Sequence, residues 1–219
     1  DDLLRISQLQ PDGWQDIEPF FRFYVNAPVC RAYKIEDRQK IVAIGALILH
    51  QETAWLAHII VAPEMRRKGL GLLMTEHLVK SSEKRGRDTQ LLIATKMGEP
   101  LYEQIGFQRS CDYRFYHFPP LIKAEFPVAV RKVKPSEILA IMALDSKVSG
   151  EGRRTLLSGY TDNALVYCGS AGVRGYYLPD LGEGLVVAQD AEAGQALMKH
   201  RLARADAAPV LPSGNHAAH

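Results

Sequence analysis

Short apolar runs separated by brief polar breaks dominate the first half of the chain. Val29–Ile35, Ile41–Leu49 and Ala54–Val61 are such runs, broken at Glu36-Asp37-Arg38 and at Gln51-Glu52-Thr53. Runs of this length with tight breaks predict three antiparallel strands, the third stopped by Pro63. Upstream, Trp14, Ile17, Phe20, Phe21 and Tyr24 recur at helical spacing after the turn Pro11-Asp12-Gly13. That spacing predicts an amphipathic helix packed on the sheet. Downstream, Leu70, Leu73, Met74, His77 and Leu78 share one face of a helix closed by Lys84-Arg85 and Gly86, a cationic last turn followed by a glycine stop. Leu91–Thr95 reads as a strand, Glu99–Ile105 as a short helix ended by Gly106, and Phe107–Phe118 as a further strand.

The second half repeats a similar order more loosely. Pro119-Pro120 and Pro127 mark a linker over 119–127, between a first domain at 1–118 and a second at 128–219. Val128–Val133 is expected as a strand, Pro135–Leu144 as a helix, and helix again around Arg153–Tyr160. Ala164–Tyr167, Val173–Leu178 and Leu185–Ala188 are expected as strands, Ala191–Ala205 as a helix, and Pro212–His219 as a tail.

Composition narrows the function classes. With 219 residues, 47% of them hydrophobic, the chain has material for one large or two small domains. A net charge of +2 with both signs interspersed argues against a dedicated nucleic-acid binder. Cys30, Cys111 and Cys168 lie far apart, with no CxxC or Cys/His ligand spacing. They are expected to be reduced thiols with no metal site. Asp1-Asp2 leads into mixed polar sequence without a signal-peptide pattern, and no apolar run approaches a membrane span. A cytoplasmic protein is expected, and, with no initiator Met and an abrupt end, a trimmed chain.

The stretch Ile59-Ile60-Val61-Ala62-Pro63-Glu64-Met65-Arg66-Arg67-Lys68-Gly69-Leu70-Gly71-Leu72-Leu73 carries the most chemistry. A strand ends, a basic glycine-containing turn follows, and a helix begins. A helix start leaves backbone N–H groups unpaired and carries the positive end of the dipole, and a pyrophosphate satisfies both. Gly69 and Gly71 clear room for close approach, and Arg66, Arg67 and Lys68 add charge. A Walker loop requires Gly-Lys followed by Ser or Thr, which is absent. A Rossmann turn requires a third glycine, where this chain has Leu72, Leu73 and Met74.

With these residues the sequence from about Ile6 to His117 resembles the GNAT N-acetyltransferase superfamily. The family's loop pattern Arg/Gln-x-x-Gly-x-Gly/Ala is met by Arg66, Gly69 and Gly71, after a Val-x-Pro lead-in at Val61 and Pro63. The family's second signature appears as Leu101-Tyr102-Glu103-Gln104-Ile105-Gly106-Phe107. The resemblance implies an α+β fold, a mixed and mostly antiparallel sheet flanked by helices, and acetyl-CoA as co-substrate. It implies that strands splay apart to admit the pantetheine beside Ile59, Ile60 and Val61, and that the amides from Arg66 to Leu72 hold the pyrophosphate.

The implied reaction is direct attack of a primary amine, on a small molecule or a peptide, upon the thioester. Tyr102 matches the tyrosine near the sulfur and would protonate the leaving thiolate; packing of the short helix is its other reading. The family's base often stands on the strand before the loop, where Trp55 and Ala57 take no proton. His58 is the neighbouring candidate, although a regular strand points it to the opposite face unless a bulge reverses it. A packed core histidine, or a water chain to a more distant acid, is the alternative. Seven residues before the tyrosine stands Thr95, where an asparagine is common; its hydroxyl can still reach the cofactor. A non-catalytic acyl-CoA-binding or regulatory protein is the competing function. A monomer or homodimer is expected, with neither nucleic acid nor membrane as partner.

The second half resembles the second domain of tandem GNAT proteins through Asp145, Arg153-Arg154, Leu156-Leu157, Gly169–Tyr177 and Gly184–Asp190. There Val187–Leu197 takes the place of the phosphate-loop region, but Gln189-Asp190-Ala191-Glu192-Ala193-Gly194 lacks the basic turn, and acidic residues repel a pyrophosphate. Asn215-His216-Ala217-Ala218 resembles the opening of a second tyrosine motif with no continuation. A degenerate, shortened second domain that walls the acceptor pocket or forms an interface is expected. Asp145, Arg153 and Arg154 are read as acceptor ligands or as surface salt bridges.

Overall fold

A computed structural model describes residues 2–115, 129–170, 172–203 and 210–212. The expected linker at 119–127, the end of the strand expected to reach Phe118, and the segment at Asn215 lie outside the described residues. The chain forms two compact units, Asp1–Gln108 and Arg109–His219.

The first unit opens with the one-turn helix α1 (Asp2–Arg5) and a 3-10 turn, then α2 (Glu18–Asn26). Strands β1 (Cys30–Asp37), β2 (Lys40–Leu49) and β3 (Thr53–Val61) follow, then α3 (Leu70–Glu83), β4 (Thr89–Leu91) and α4 (Glu99–Ile105). The sheet order is β1-β2-β3-β4, antiparallel except for a parallel β3–β4 pair. The three antiparallel strands fall where the apolar runs predict them. Trp14 stands outside the helix, 44% exposed, because α2 begins only at Glu18, with Pro19 in its first turn.

β2 is buried over nearly its whole length, because helices cover both faces of the sheet. Ile17, Phe21, Tyr24, Ile44, Ala46 and Ile60 cluster on the α2 face. Ala43, Leu47, Leu56, Met74 and Leu78 cluster on the α3 face. Each large apolar side chain buried this way contributes about 1.5–3 kcal/mol.

The fourth strand differs from expectation. It occupies Thr89–Leu91 instead of Leu91–Thr95, and pairs only Thr53, Ala54 and Trp55 with Thr89, Gln90 and Leu91. From Leu92 to Thr95 the chain leaves the ladder, so β3 from Leu56 to Val61 has no strand on that side among the described residues.

In the second unit the strand expected over Phe107–Phe118 is reduced, among the described residues, to β5 (Tyr113–Phe115), after an irregular stretch from Phe107 to Asp112. β6 (Val130–Lys132), α5 (Ile138–Ser149) and α6 (Arg154–Leu157) follow. Then come β7 (Leu165–Gly169), β8 (Gly172–Leu178), β9 (Leu185–Ala188), α7 (Ala191–Leu202) and β10 (Val210–Pro212). Strands β6-β7-β8-β9 form an antiparallel sheet, and β10 pairs with β5. The alternation along β8 divides this core in two. Tyr176 and Leu178 pack with Ile141 and Leu157, while Tyr177 packs with Ala193 and Leu197 of α7. The order helix, helix, three antiparallel strands, helix thus recurs in both units.

Asp145 corrects a sequence expectation. It is 1% exposed and makes no surface salt bridge. Arg153 reaches it with Nε at 3.1 Å and a terminal nitrogen at 2.5 Å, and the Tyr176 hydroxyl donates to the same carboxylate. A carboxylate that accepts three hydrogen bonds tolerates burial.

Candidate active site

After Val61 the chain makes a 3-10 turn over Pro63–Met65, with Pro63 supplying the preset φ of a first turn. Arg66 is extended, Arg67 is left-handed at φ 59° and Gly69 at φ 81°, and α3 starts at Leu70. The left-handed step at Gly69 suits a residue without Cβ. Arg66 bonds its N–H to Pro63 and Leu73 bonds its N–H to Gly69. The amides between, from Arg67 to Leu72, have no partner among the described residues. No acidic residue stands in the first turn of α3, and no side chain caps it. Arg66, Arg67 and Lys68 are exposed around these amides. Arg66 folds back, with Nε 3.3 Å from the Val61 carbonyl, and Lys68 lies 3.4 Å from the Met65 sulfur. Successive unpaired amides at a dipole's positive end form a concave site for an anion.

Gly71 ties this loop to α4. A Cβ built there meets Leu101 Cδ1 at 3.1 Å and Val61 Cγ2 at 3.8 Å. The next residue, Tyr102, rests against Gly98, where a Cβ would stand 2.9 Å from the ring, and edge-on to Phe107 at 6.1 Å. Gly106, at φ 107°, turns the chain so that Phe107 donates its N–H to the Tyr102 carbonyl at 3.0 Å. This glycine-stopped turn gives the Leu-Tyr-x-x-x-Gly-Phe spacing its physical meaning: Gly reverses the chain, and Phe returns to hold the Tyr. Burial raises the Tyr102 phenol above its ordinary value, so it stays protonated. Its hydroxyl has no hydrogen-bond partner among the described residues. Thr95 is partly committed: its hydroxyl accepts from the Gly98 N–H at 3.2 Å and its carbonyl from Gly98 and Glu99. The hydroxyl proton remains available to a ligand.

Ile59, Ile60 and Val61 lie on the part of β3 that pairs with no strand toward β4 among the described residues. Register along β3 slips just before them. Ala46 faces Ala57 and Ile44 faces Ile60, so His58 and Ile59 together oppose Gly45. At this bulge His58 adopts φ 47°, and its ring turns onto the α2 face with Ala57. There Nδ1 lies 2.8 Å from the Tyr24 hydroxyl. Burial pushes the imidazole down to about 4, so it is neutral near pH 7 and a weak proton acceptor. The Tyr24–His58 bond went unread in the sequence, where both residues fit a core pattern.

A cavity of about 490 Å³ lies elsewhere in this unit, lined by Leu3, Ile6, Phe21, Val25, Ile41 and Ile44 among others. It holds none of the expected site residues. Among the described residues no group of three or more His, Cys, Asp or Glu is arranged for a metal. No helix among them is long and apolar enough to cross a membrane.

Residues 28–109 match the family model of the acetyltransferase (GNAT) domain. They form a GNAT domain. The match takes in the basic loop at Arg66–Gly71, strand β3 and Tyr102 together. Two curated relatives of this GNAT domain are [ribosomal protein bS18]-alanine N-acetyltransferases. That of Salmonella typhimurium is 33% identical over 85 residues, covering 37% of this chain and 56% of the enzyme. That of Escherichia coli is 30% identical over 88 residues, covering 39% of this chain and 60% of the enzyme. The chain thus spans little more than half the length of these relatives. A Pyrococcus horikoshii protein assigned as an acetyltransferase shares the fold, with a TM-score of 0.77 at 18% identity, over 98% of this chain and 76% of its own.

Proposed function

We propose that the GNAT domain binds acetyl-CoA and transfers its acetyl group to a primary amine of a peptide or small molecule. The observation that carries this reading is the run of unpartnered amides from Arg67 to Leu72, packed at Gly71 against Val61 of β3 and against Leu101 of α4, the helix that carries the half-buried Tyr102. The loop amides and Arg66, Arg67 and Lys68 suit the pyrophosphate. The free edge of β3 at Ile59, Ile60 and Val61 suits the pantetheine amides, and the Thr95 hydroxyl can donate to the same ligand.

Acetyl-CoA supplies a thioester open to direct attack. The amine nitrogen forms the new bond to carbon as the carbon–sulfur bond breaks. Tyr102 gives its phenolic proton to the departing sulfur, and the proton shed by the amine returns through water. A phenol held above its ordinary value by burial keeps its proton at neutral pH, ready for a thiolate leaving group. The acceptor of the two relatives is a ribosomal-protein alanine, which makes a peptide α-amine the first acceptor to test.

Release of free thiol from acetyl-CoA, measured across peptide and small amines, tests the reading. Acceptor-dependent release supports it. Acetyl-CoA binding with no release for any amine favours a non-catalytic acyl-CoA-binding protein instead. The neutral, Tyr24-bound state of His58 supports that second reading, because no strong base stands on β3.

The second unit is read as a degenerate repeat without a cofactor site. At the start of α7, Asp190 itself accepts from the Ala193 N–H at 3.0 Å. Arg174 is spent on Asp190 and Glu192, at 2.9 Å each. The helix start therefore carries its own carboxylates where a pyrophosphate would bind.

A further inference from the structure

His58 is placed by a backbone conformation that residues with a Cβ rarely adopt. Such positions persist only when the surroundings over-determine them. Here the surroundings are aromatic: ring centroids of Phe20, Tyr24, Phe21 and Trp14 lie 4.8, 5.6, 6.0 and 6.2 Å from the imidazole. No carboxylate or cation bonds or stacks with the ring among the described residues; its one polar partner is the Tyr24 hydroxyl, 2.8 Å from Nδ1.

The direction of that hydrogen bond decides the chemistry. Tyr24 is 4% exposed and has no other hydrogen bond among the described residues. If Nδ1–H donated to the phenol oxygen, the phenol proton would be buried without an acceptor, which costs about 1–3 kcal/mol. With the phenol donating, the Tyr24 hydroxyl and Nδ1 are both satisfied. Nδ1 is then the acceptor, and the single proton of the neutral ring sits on Nε2. Nε2 has no hydrogen-bond partner among the described residues and is not a fully buried atom.

We propose that Tyr24 locks His58 in the Nε2–H tautomer, and that this N–H donates to an amide carbonyl oxygen of the acceptor beside its reacting amine. The assignment rests on the acetyltransferase reading above and changes the role of His58 within it. His58 is a hydrogen-bond donor that orients the acceptor, and Tyr24 is a positioning residue. An uncharged N–H among aromatic rings, with Trp14 still 44% exposed, suits a neutral carbonyl better than a carboxylate. A carboxylate would lose its hydration there without meeting a positive charge. The bulge also lies in the Leu56–Val61 stretch of β3 that borders the gap.

Two measurements on the full chain test this. Long-range proton–nitrogen correlation spectra of histidine-labelled protein should show His58 with Nε2 protonated and Nδ1 bare, unchanged between about pH 5.5 and 8.5. Tyr24→Phe should release it into tautomer exchange, visible as averaging of the two ring nitrogens. A proton on Nδ1, or no change in the Tyr24→Phe spectrum, overturns the lock. In the thiol-release assay, His58→Leu should raise KM for a peptide acceptor about tenfold. It should leave KM for acetyl-CoA in place and spare a simple alkylamine that has no carbonyl. His58→Gln, which keeps an N–H, should recover most of the loss. Equal losses on peptide and alkylamine overturn the carbonyl contact. Absence of acetylation with every acceptor overturns the parent reading and that contact together, while the nitrogen spectrum still decides the tautomer.

Discussion

Replacing Gly71 with glutamate puts a carboxylate on the second residue of α3, within the run of amides from Arg67 to Leu72. The steric part is small. The new Cβ stands 3.1 Å from Leu101 Cδ1, the end of a flexible side chain that yields by a few tenths of an ångström. Helix formation gains, because any residue other than proline replaces glycine favourably in a helix, by up to about 1 kcal/mol. An acidic residue in the first turn adds about 0.3–1 kcal/mol through the dipole. The folded state should therefore hold its melting temperature. Binding should not. A carboxylate about 6 Å from a pyrophosphate charge, at an effective dielectric near 20, costs roughly 3 kcal/mol per charge pair, before the side chain's own bulk is counted. Calorimetric titration with coenzyme A at low salt should show affinity lower by about a hundredfold or more. Gly71→Ala, which adds only the Cβ, should stay within about threefold of wild type. Unchanged affinity in Gly71→Glu, with folding intact, would refute the assignment of this loop to the pyrophosphate.

Three further outcomes follow from other parts of the molecule. Tyr102→Phe should lower turnover by about a hundredfold with little change in acetyl-CoA affinity; turnover equal to wild type removes its role as acid. Because burial raises the Tyr102 phenol, its active protonated form persists above the ordinary tyrosine value. The rate should therefore show no descending limb up to about pH 10, and a fall between pH 8 and 9 that is absent in Tyr102→Phe would contradict this. Asp145→Ala leaves the half-buried Arg153 with only Glu151, at 3.9 Å, as an ion partner among the described residues, and strands the Tyr176 hydroxyl, so chemical denaturation should show a loss of about 2–4 kcal/mol; a loss under about 1 kcal/mol would mean that the network is not supporting the second unit.

The local signals were legible because each depends on neighbours in sequence. Apolar runs with tight breaks fix β1 to β3, since a strand needs only alternation and an ending. Gly69 and Gly106 mark positions where a positive φ disfavours a Cβ. The basic turn and the Leu101–Phe107 signature were readable for the same reason, and the matched family model spans both. Less legible were elements that other elements shape. β4 is three residues long because its pairing with β3 ends at Trp55 and Leu91, and no local pattern encodes a strand's departure from its neighbour. Asp145 looked like a surface charge because the arginine and tyrosine that make its burial tolerable are eight and thirty-one residues away.

The sequence by itself determined that a basic glycine turn joins a strand to a helix and that a tyrosine motif follows, because backbone freedom and charge are properties of single residues. Only the tertiary structure decided what His58 is. A one-residue slip against Gly45 turns its ring onto the α2 face. There a phenol thirty-four residues away holds Nδ1. Which nitrogen keeps the proton is set by a partner in space, and no spacing along the chain records it.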